Sequence, residues 1–267
     1  MTLTAACDTE AAKTRRQAEI LNDSILNALQ TGDYNLAIEL IDTLNAKYPN
    51  EIDLRKSTLL SRAKAMEGLI RDSIPLVDAK IAEVRLEMES LKQYFSAVAE
   101  KGLPGYIVDK GVRNTDMTQP GKVQPRLGDA LSPWVIEVSV PKNIINIDAI
   151  AINTPQGETK AQIVDAASRM VKGTNANIIS VTASEADILG TALNSENVAE
   201  KGLTLAIFSG NGSKPSYTIT LTKQTATAIE RTYRFAQLRE EERKALLRRE
   251  LLERMLITAQ NQVANNS

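Results

Sequence analysis

The chain has no histidine and a single cysteine among its 267 residues. Without imidazole, Ser-His-Asp and Cys-His catalysis, histidine-bound metals and a histidine pH switch are excluded. One thiol forbids an internal disulfide and every multi-cysteine metal or cluster site. Neither sign of charge dominates: 32 Lys and Arg against 33 Asp and Glu leave a net charge of −1. That balance gives no global attraction for nucleic acid, which is not expected as a partner. Aromatic residues are only 4% of the chain, so stacking platforms for bases or sugars are thin. No run approaches the roughly 18 apolar residues that span a bilayer, so a membrane link would come from a covalent lipid or a partner. What is present, 43% hydrophobic and 24% charged residues, is the composition of a globular protein of one or two domains with a sizeable core.

The single cysteine stands at the end of Met1-Thr2-Leu3-Thr4-Ala5-Ala6-Cys7. Small residues directly before a cysteine resemble the end of a bacterial lipoprotein signal peptide, where cleavage leaves a lipid-modified Cys. Thr4 stands where Leu is usual, and Leu3 comes one place early. The basic and long apolar regions of such a signal are absent, which a start placed inside the signal would explain. The expectation is a lipid on Cys7, with residues 1–13 as signal-peptide remnant and tether. The protein would then sit in the cell envelope, facing the periplasm or the cell surface. The alternative is a chance cysteine at the start of a cytoplasmic protein.

Residues 14–101 read as a helical stalk, since apolar residues recur at helical spacing with almost no glycine. Ile20, Leu21, Ile25, Ala28 and Leu29 form one stripe, and Ala37, Ile38, Ile41 and Leu44 form the next. Gly32-Asp33-Tyr34 makes the turn between them. Gly32, Asp33, Tyr34, Ala37, Ile41, Leu44 and Pro49 fall where a tetratricopeptide repeat has its turn, its packing alanine, its second-helix apolar positions and its terminating proline. Residues 20–50 therefore resemble one such repeat, although Leu21 and Ile25 replace the usual Trp and Gly. The resemblance implies a helical hairpin and makes Tyr34 a candidate interaction residue. Such repeats need about three copies to bury a continuous stack, and no second copy follows. The hairpin is either a peptide-binding element or a pair of helices packed on its own neighbours.

Glu51 to Ile70 continues as an amphipathic helix, and Pro75 predicts a kink or one-turn break around Asp72–Pro75. Beyond it Ile74, Val77, Ile81, Val84, Met88, Leu91, Phe95 and Val98 form a coiled-coil heptad seam, ended by Gly102-Leu103-Pro104-Gly105. From there the period switches to two across residues 102–221, predicting an antiparallel β domain. Its strands are expected at Tyr106–Asp109, Val123–Leu127, Trp134–Val140, Ile147–Asn153, Thr159–Val164, Asn177–Ala183, Leu203–Phe208 and Tyr217–Leu221, with a short helix between Ser184 and Ala199. In the third strand Val135, Glu137 and Ser139 alternate against Trp134, Ile136, Val138 and Val140, so one face is expected to be buried. Residues 222–267 predict a long helix capped by Thr222, with Phe235, Leu238, Ala245, Leu252, Leu256, Ala259 and Val263 as its seam. The fold class expected is α+β: a helical hairpin, a long heptad helix, an antiparallel β domain and a C-terminal helix pairing back on the stalk. Burial of the seams, at about 0.8 kcal/mol per CH₂, outweighs any surface ion pair along them. The same seams could instead serve a homodimer.

Several pieces of this layout occur together in a group of envelope lipoproteins. The pieces are a cysteine near the start, a helical stalk, a β domain led by Gly105-Tyr106-Ile107-Val108, and Tyr217-Thr218-Ile219-Thr220-Leu221 feeding a helix at Thr222-Lys223. Over nearly its full length the chain resembles an uncharacterised lipoprotein family of anaerobic Gram-negative gut bacteria. The resemblance implies an envelope location and carries over no catalytic residue. Asp8 after the cysteine is similar to export signals of surface lipoproteins, with Thr9 a departure.

No motif for chemistry survives inspection. Ser209-Gly210-Asn211-Gly212-Ser213-Lys214 is rich in glycine, but it leads into Pro215 and a strand instead of the helix N-terminus a phosphate loop needs. Ser61-Arg62-Ala63-Lys64 has Ser-x-x-Lys spacing without its partner motifs. Glu185 with Asp187, or Asp109 with Asp116, would have to converge to act as a carboxylate-dependent carbohydrate hydrolase. Trp134 is either a ligand anchor or part of the core. Calcium-loop spacing is absent, and no catalytic, cofactor-binding or metal-ligating residue is assigned. The expected function is a non-enzymatic envelope module contacting a protein or cell-wall partner, with a cytosolic helical adaptor as the alternative.

Overall fold

The computed structural model describes residues 10–99, 105–128, 134–154, 157–163, 167–170, 174–181, 183–194, 203–210 and 212–266. Three helices lead: α1 (Glu10–Thr31), α2 (Tyr34–Lys47) and α3 (Ile52–Lys92). Eight strands follow, β1 (Phe95–Val98), β2 (Tyr106–Asp109), β3 (Lys122–Gly128), β4 (Trp134–Pro141), β5 (Ile147–Thr154), β6 (Gly157–Gln162), β7 (Ala167–Met170) and β8 (Ala176–Val181). Then come α4 (Ala183–Asn194), β9 (Leu203–Ser209), β10 (Tyr217–Leu221) and α5 (Lys223–Asn266). The fold is α+β with two antiparallel sheets, and the long C-terminal helix packs against α3. The chain divides into a helical unit, residues up to 83 and from 242 onward, and a β unit, residues 84–241.

In the helical unit the α1–α2 turn is made by Gly32, whose φ of 77° suits a residue without Cβ. Asp33 then caps α2, its carboxylate accepting from the Leu36 amide at 3.1 Å. Ile25, Ile41 and Leu44 are buried together across the hairpin. Ala28 and Ala37 pack with Ala65 of α3, where small side chains let three helices approach. Farther along, Ile70, Val77 and Ile81 of α3 are buried with Leu252 of α5, flanked by Ile74, Ala245, Met255 and Leu256. Within this unit the two helices run antiparallel, since Arg249 reaches Asp78 while Met255 and Thr258 lie beside Met66 and Ile70.

Two expectations for the stalk need correction. Pro75 lies inside an uninterrupted α3. It removes one backbone bond at a cost of about 3 kcal/mol. Buried neighbours on both sides, each worth about 1.5–3 kcal/mol, hold the two halves on one seam. The helix also stops at Lys92, not near Lys101, and Phe95–Val98 is strand β1, paired antiparallel with β2 from Phe95↔Asp109 to Val98↔Tyr106. Phe95 keeps its expected burial, with its ring 5.2 Å from that of Phe235.

In the β unit one sheet has the order β1-β2-β3-β4-β8-β7 and the other β10-β9-β5-β6. A single cluster draws on Ile136, Val138 and Val181 from the first sheet and Ile150, Ile152, Leu205 and Ile207 from the second. Val84 and Met88 of α3 and Ile229, Phe235 and Leu238 of α5 join it. The seam residues expected to pair are thus buried: Ile81 with Leu252 in one unit, Met88 and Phe95 with Phe235 in the other. Arg234 of α5 grips Glu87 of α3 through two hydrogen bonds of 2.6 Å.

The outward face of β4 was expected to be the wetter one, yet Glu137 and Ser139 are buried too. Residues 112–119 cover them: the Ser139 hydroxyl donates to the Met117 and Gln119 carbonyls, and the Gln124 amide donates to the Val112 carbonyl at 2.7 Å. Arg126 donates to Gln124, pairs with Glu137 at 2.9 Å and lies over the Tyr106 ring. Polar side chains can be buried when their partners are buried with them.

Candidate functional site

A cleft of about 310 Å³ opens in the β unit where three pieces of chain meet. Gln93 and Tyr94 link α3 to β1, and Asp109, Lys110 and Gly111 leave β2. Gln224, Thr227 and Arg231 lie on successive turns of α5, where spacings of three and four put them on one face. The β1–β2 ladder sets the first two pieces opposite each other. Phe95 pairs with Asp109, and the Lys110 amide donates to the Tyr94 carbonyl at 2.8 Å.

The electrostatics centre on Asp109. Its side chain is only 3% exposed. One carboxylate oxygen accepts from the Gly111 amide at 2.7 Å and the other from Arg231 Nη1 at 3.4 Å. The Arg231 guanidinium is 34% exposed and sits over Tyr94, its central carbon 3.9 Å from the ring centre. Such stacking steadies the cation while leaving its edges available. Lys110 Nζ donates to the Gln93 carbonyl at 2.7 Å. Gly111 is needed for space: a methyl there would lie 3.0 Å from an Asp109 oxygen and 3.1 Å from Gln224 Cγ. Two cations, an amide and a hydroxyl thus line the cleft together with one carboxylate that already has partners. The arrangement is built to donate hydrogen bonds.

The residues singled out from the sequence fall elsewhere, Asp109 excepted. Cys7 lies outside the described residues. Tyr34 lies against Gly68 of α3 and is half-buried. Trp134 is 3% exposed, its indole donating to Asp187 at 2.8 Å and its ring 5.7 Å from that of Tyr233. It is a core residue. Asp187 is therefore the indole's acceptor, and the Glu185 side chain lies outside the described residues. Asp116 and Asp109 have separate partners: Asp116 accepts from the Thr118 hydroxyl and amide, which hold its carboxyl below the ordinary value. The Ser61 hydroxyl donates to the Ser57 carbonyl on an ordinary helical turn, leaving Lys64 exposed. The glycine-rich segment lies between β9 and β10, which pair antiparallel, and the Ser216 amide donates to the Ile207 carbonyl beside it.

Sequence reasoning missed Tyr94, Lys110, Gly111, Gln224 and Arg231. They share no motif; a strand pairing and a helix face bring them together. Among the described residues no group of three or more His, Cys, Asp or Glu side chains is placed to hold a metal ion. No described helix is long and apolar enough to cross a membrane. No protein-family model, curated protein or solved structure matches the chain.

Proposed function

We propose that this protein is a lipid-anchored module of the cell envelope that binds a partner and performs no chemical turnover. The observation that carries the binding part is the occupied state of Asp109. Its two oxygens already accept from Gly111 and Arg231, so the cleft offers donors to a partner in place of a general base. The anchor rests on Cys7, the single thiol, following Thr4-Ala5-Ala6, and on the resemblance to envelope lipoproteins of anaerobic Gram-negative gut bacteria. The tether would then join the helical unit, whose first described helix begins at Glu10.

Mass spectrometry of the protein isolated from its native membrane fraction tests the anchor. The expected result is an N-terminus beginning at Cys7 and carrying lipid, with Cys7→Ser shifting the protein to the soluble fraction. An uncleaved, unmodified N-terminus overturns the reading.

A further inference from the structure

We propose that the cleft between β2 and α5 takes the carboxylate of a small molecule, with Arg231 as its principal ligand. The inference deepens the binding reading above and is independent of the lipid. A guanidinium has five N–H donors in one plane. At Arg231 one of them meets Asp109, and the central carbon sits over the Tyr94 ring, 3.9 Å from its centre. The remaining donors point along in-plane directions, the geometry that receives a planar carboxylate by two parallel hydrogen bonds. Asp109, buried and fixed by the Gly111 amide, holds the guanidinium in place.

Charge and space point the same way. Lys110 and Arg231 against Asp109 leave the lining at +1, which one carboxylate neutralises and a phosphate dianion would overshoot. Gly111 keeps the wall beside Gln224 open, since a side chain there would press on the Gln224 stem. Gln224 and Thr227 supply an amide and a hydroxyl for a neighbouring polar group of the ligand. A volume near 310 Å³ is at the small end of the roughly 300–1,000 Å³ of small-molecule sites. The ligand is therefore small, with the carboxylate beside an amide or hydroxyl.

Titration of the full chain at low ionic strength, followed by calorimetry and by the Arg Nε–H signals in NMR, tests this with three probes. They are N-acetylalanine, its uncharged amide and inorganic phosphate. N-acetylalanine is expected to saturate and to shift the Arg231 signal, with the amide at least about tenfold weaker. Arg231→Lys keeps the charge beside Asp109 but loses the planar fork, and is expected to weaken N-acetylalanine about tenfold or more. Lys110→Gln, which leaves the Asp109–Arg231 pair intact, should weaken it several-fold with an unchanged melting midpoint, and it carries the test if Arg231→Lys does not fold. Absence of saturable binding overturns the site. Phosphate binding as tightly as N-acetylalanine, or an unchanged Kd in Lys110→Gln, overturns the carboxylate assignment. Neither result bears on Cys7, so loss of this inference and loss of the envelope reading are separable.

Discussion

Both units seat a tyrosine ring on a glycine in the middle of a helix, but they do so by opposite ends of the side chain. In the helical unit a methyl at Gly68 would overlap the far edge of the Tyr34 ring. In the β unit a methyl at Gly190 would overlap Cγ and Cδ2 of Tyr233, with Cβ next nearest. Tyr34 is half-buried, whereas Tyr233 is 6% exposed and boxed by the Trp134 ring and by Thr191 and Gln237 at its hydroxyl. The same contrast recurs among charged residues. The described ion pairs of the helical unit, such as Arg249–Asp78 and Arg71–Glu67, are solvated. In the β unit Arg126 and Glu137 are each only 10% exposed. Arg234 and Glu87 of the same unit are about as exposed as Arg249 and Asp78, so the contrast lies in the buried Arg126–Glu137 pair.

Removing a buried cation should show the difference most strongly. Arg126→Ala removes a buried cation paired with buried Glu137 and is expected to cost about 3–5 kcal/mol, read from the urea midpoint. Arg249→Ala, whose partners are solvated, should leave the midpoint within the scatter of replicate melts. Equal losses would erase the distinction.

The two glycines give a gentler comparison. Alanine gains up to about 1 kcal/mol over glycine in a helix. At Gly68 that gain offsets the cost of displacing the far end of a half-buried ring, so Gly68→Ala should stay within about 1 kcal/mol of neutral. At Gly190 the obstacle is the root of a boxed side chain, so Gly190→Ala should lose about 1–3 kcal/mol. Thermal melts of both variants decide this, and a larger loss at Gly68 would reverse the ranking.

The smallest effect concerns Asp116, held by Thr118 on the segment that covers β4. Its folded pKa lies below the ordinary 3.8. A depressed carboxyl contributes stability above the unfolded value and loses it as pH falls through the folded one. Thr118→Ala should therefore lower stability slightly at neutral pH, a deficit that disappears as pH falls below about 4, so the acid limb of the stability–pH curve is flatter in the variant. An unaltered acid limb would show that the turn contributes nothing.

Much of this fold was legible because burial follows period. The expected strand Tyr106–Asp109 is β2, the Thr222 cap sits where the Thr225 amide finds it at 3.1 Å, and Ile81 meets Leu252. Misreadings arose where one pattern satisfied two structures. Phe95 and Val98 continue the heptad numerically, yet the four residues from Phe95 to Val98 are a strand whose first side chain enters the same core. Strand β7, Ala-Ser-Arg-Met at a sheet edge, has no apolar alternation to announce it. Glu137 and Ser139 looked like a wet face because their cover is a loop without periodicity. The cleft was hidden for the same reason: Asp109 drew notice as a carboxylate, but Arg231 lies on another element, with no local signal to join them.

The β unit is one uninterrupted stretch, while the helical unit is completed by residues from 242 onward. On the ribosome, Ile70, Val77 and Ile81 therefore emerge long before Leu252 exists to cover them. The sandwich can condense first, and the earlier helices wait with a greasy flank exposed to chaperones and proteases. A nascent chain interrupted near residue 241 would carry a complete β unit and an uncovered stalk, a form that quality control can recognise and remove.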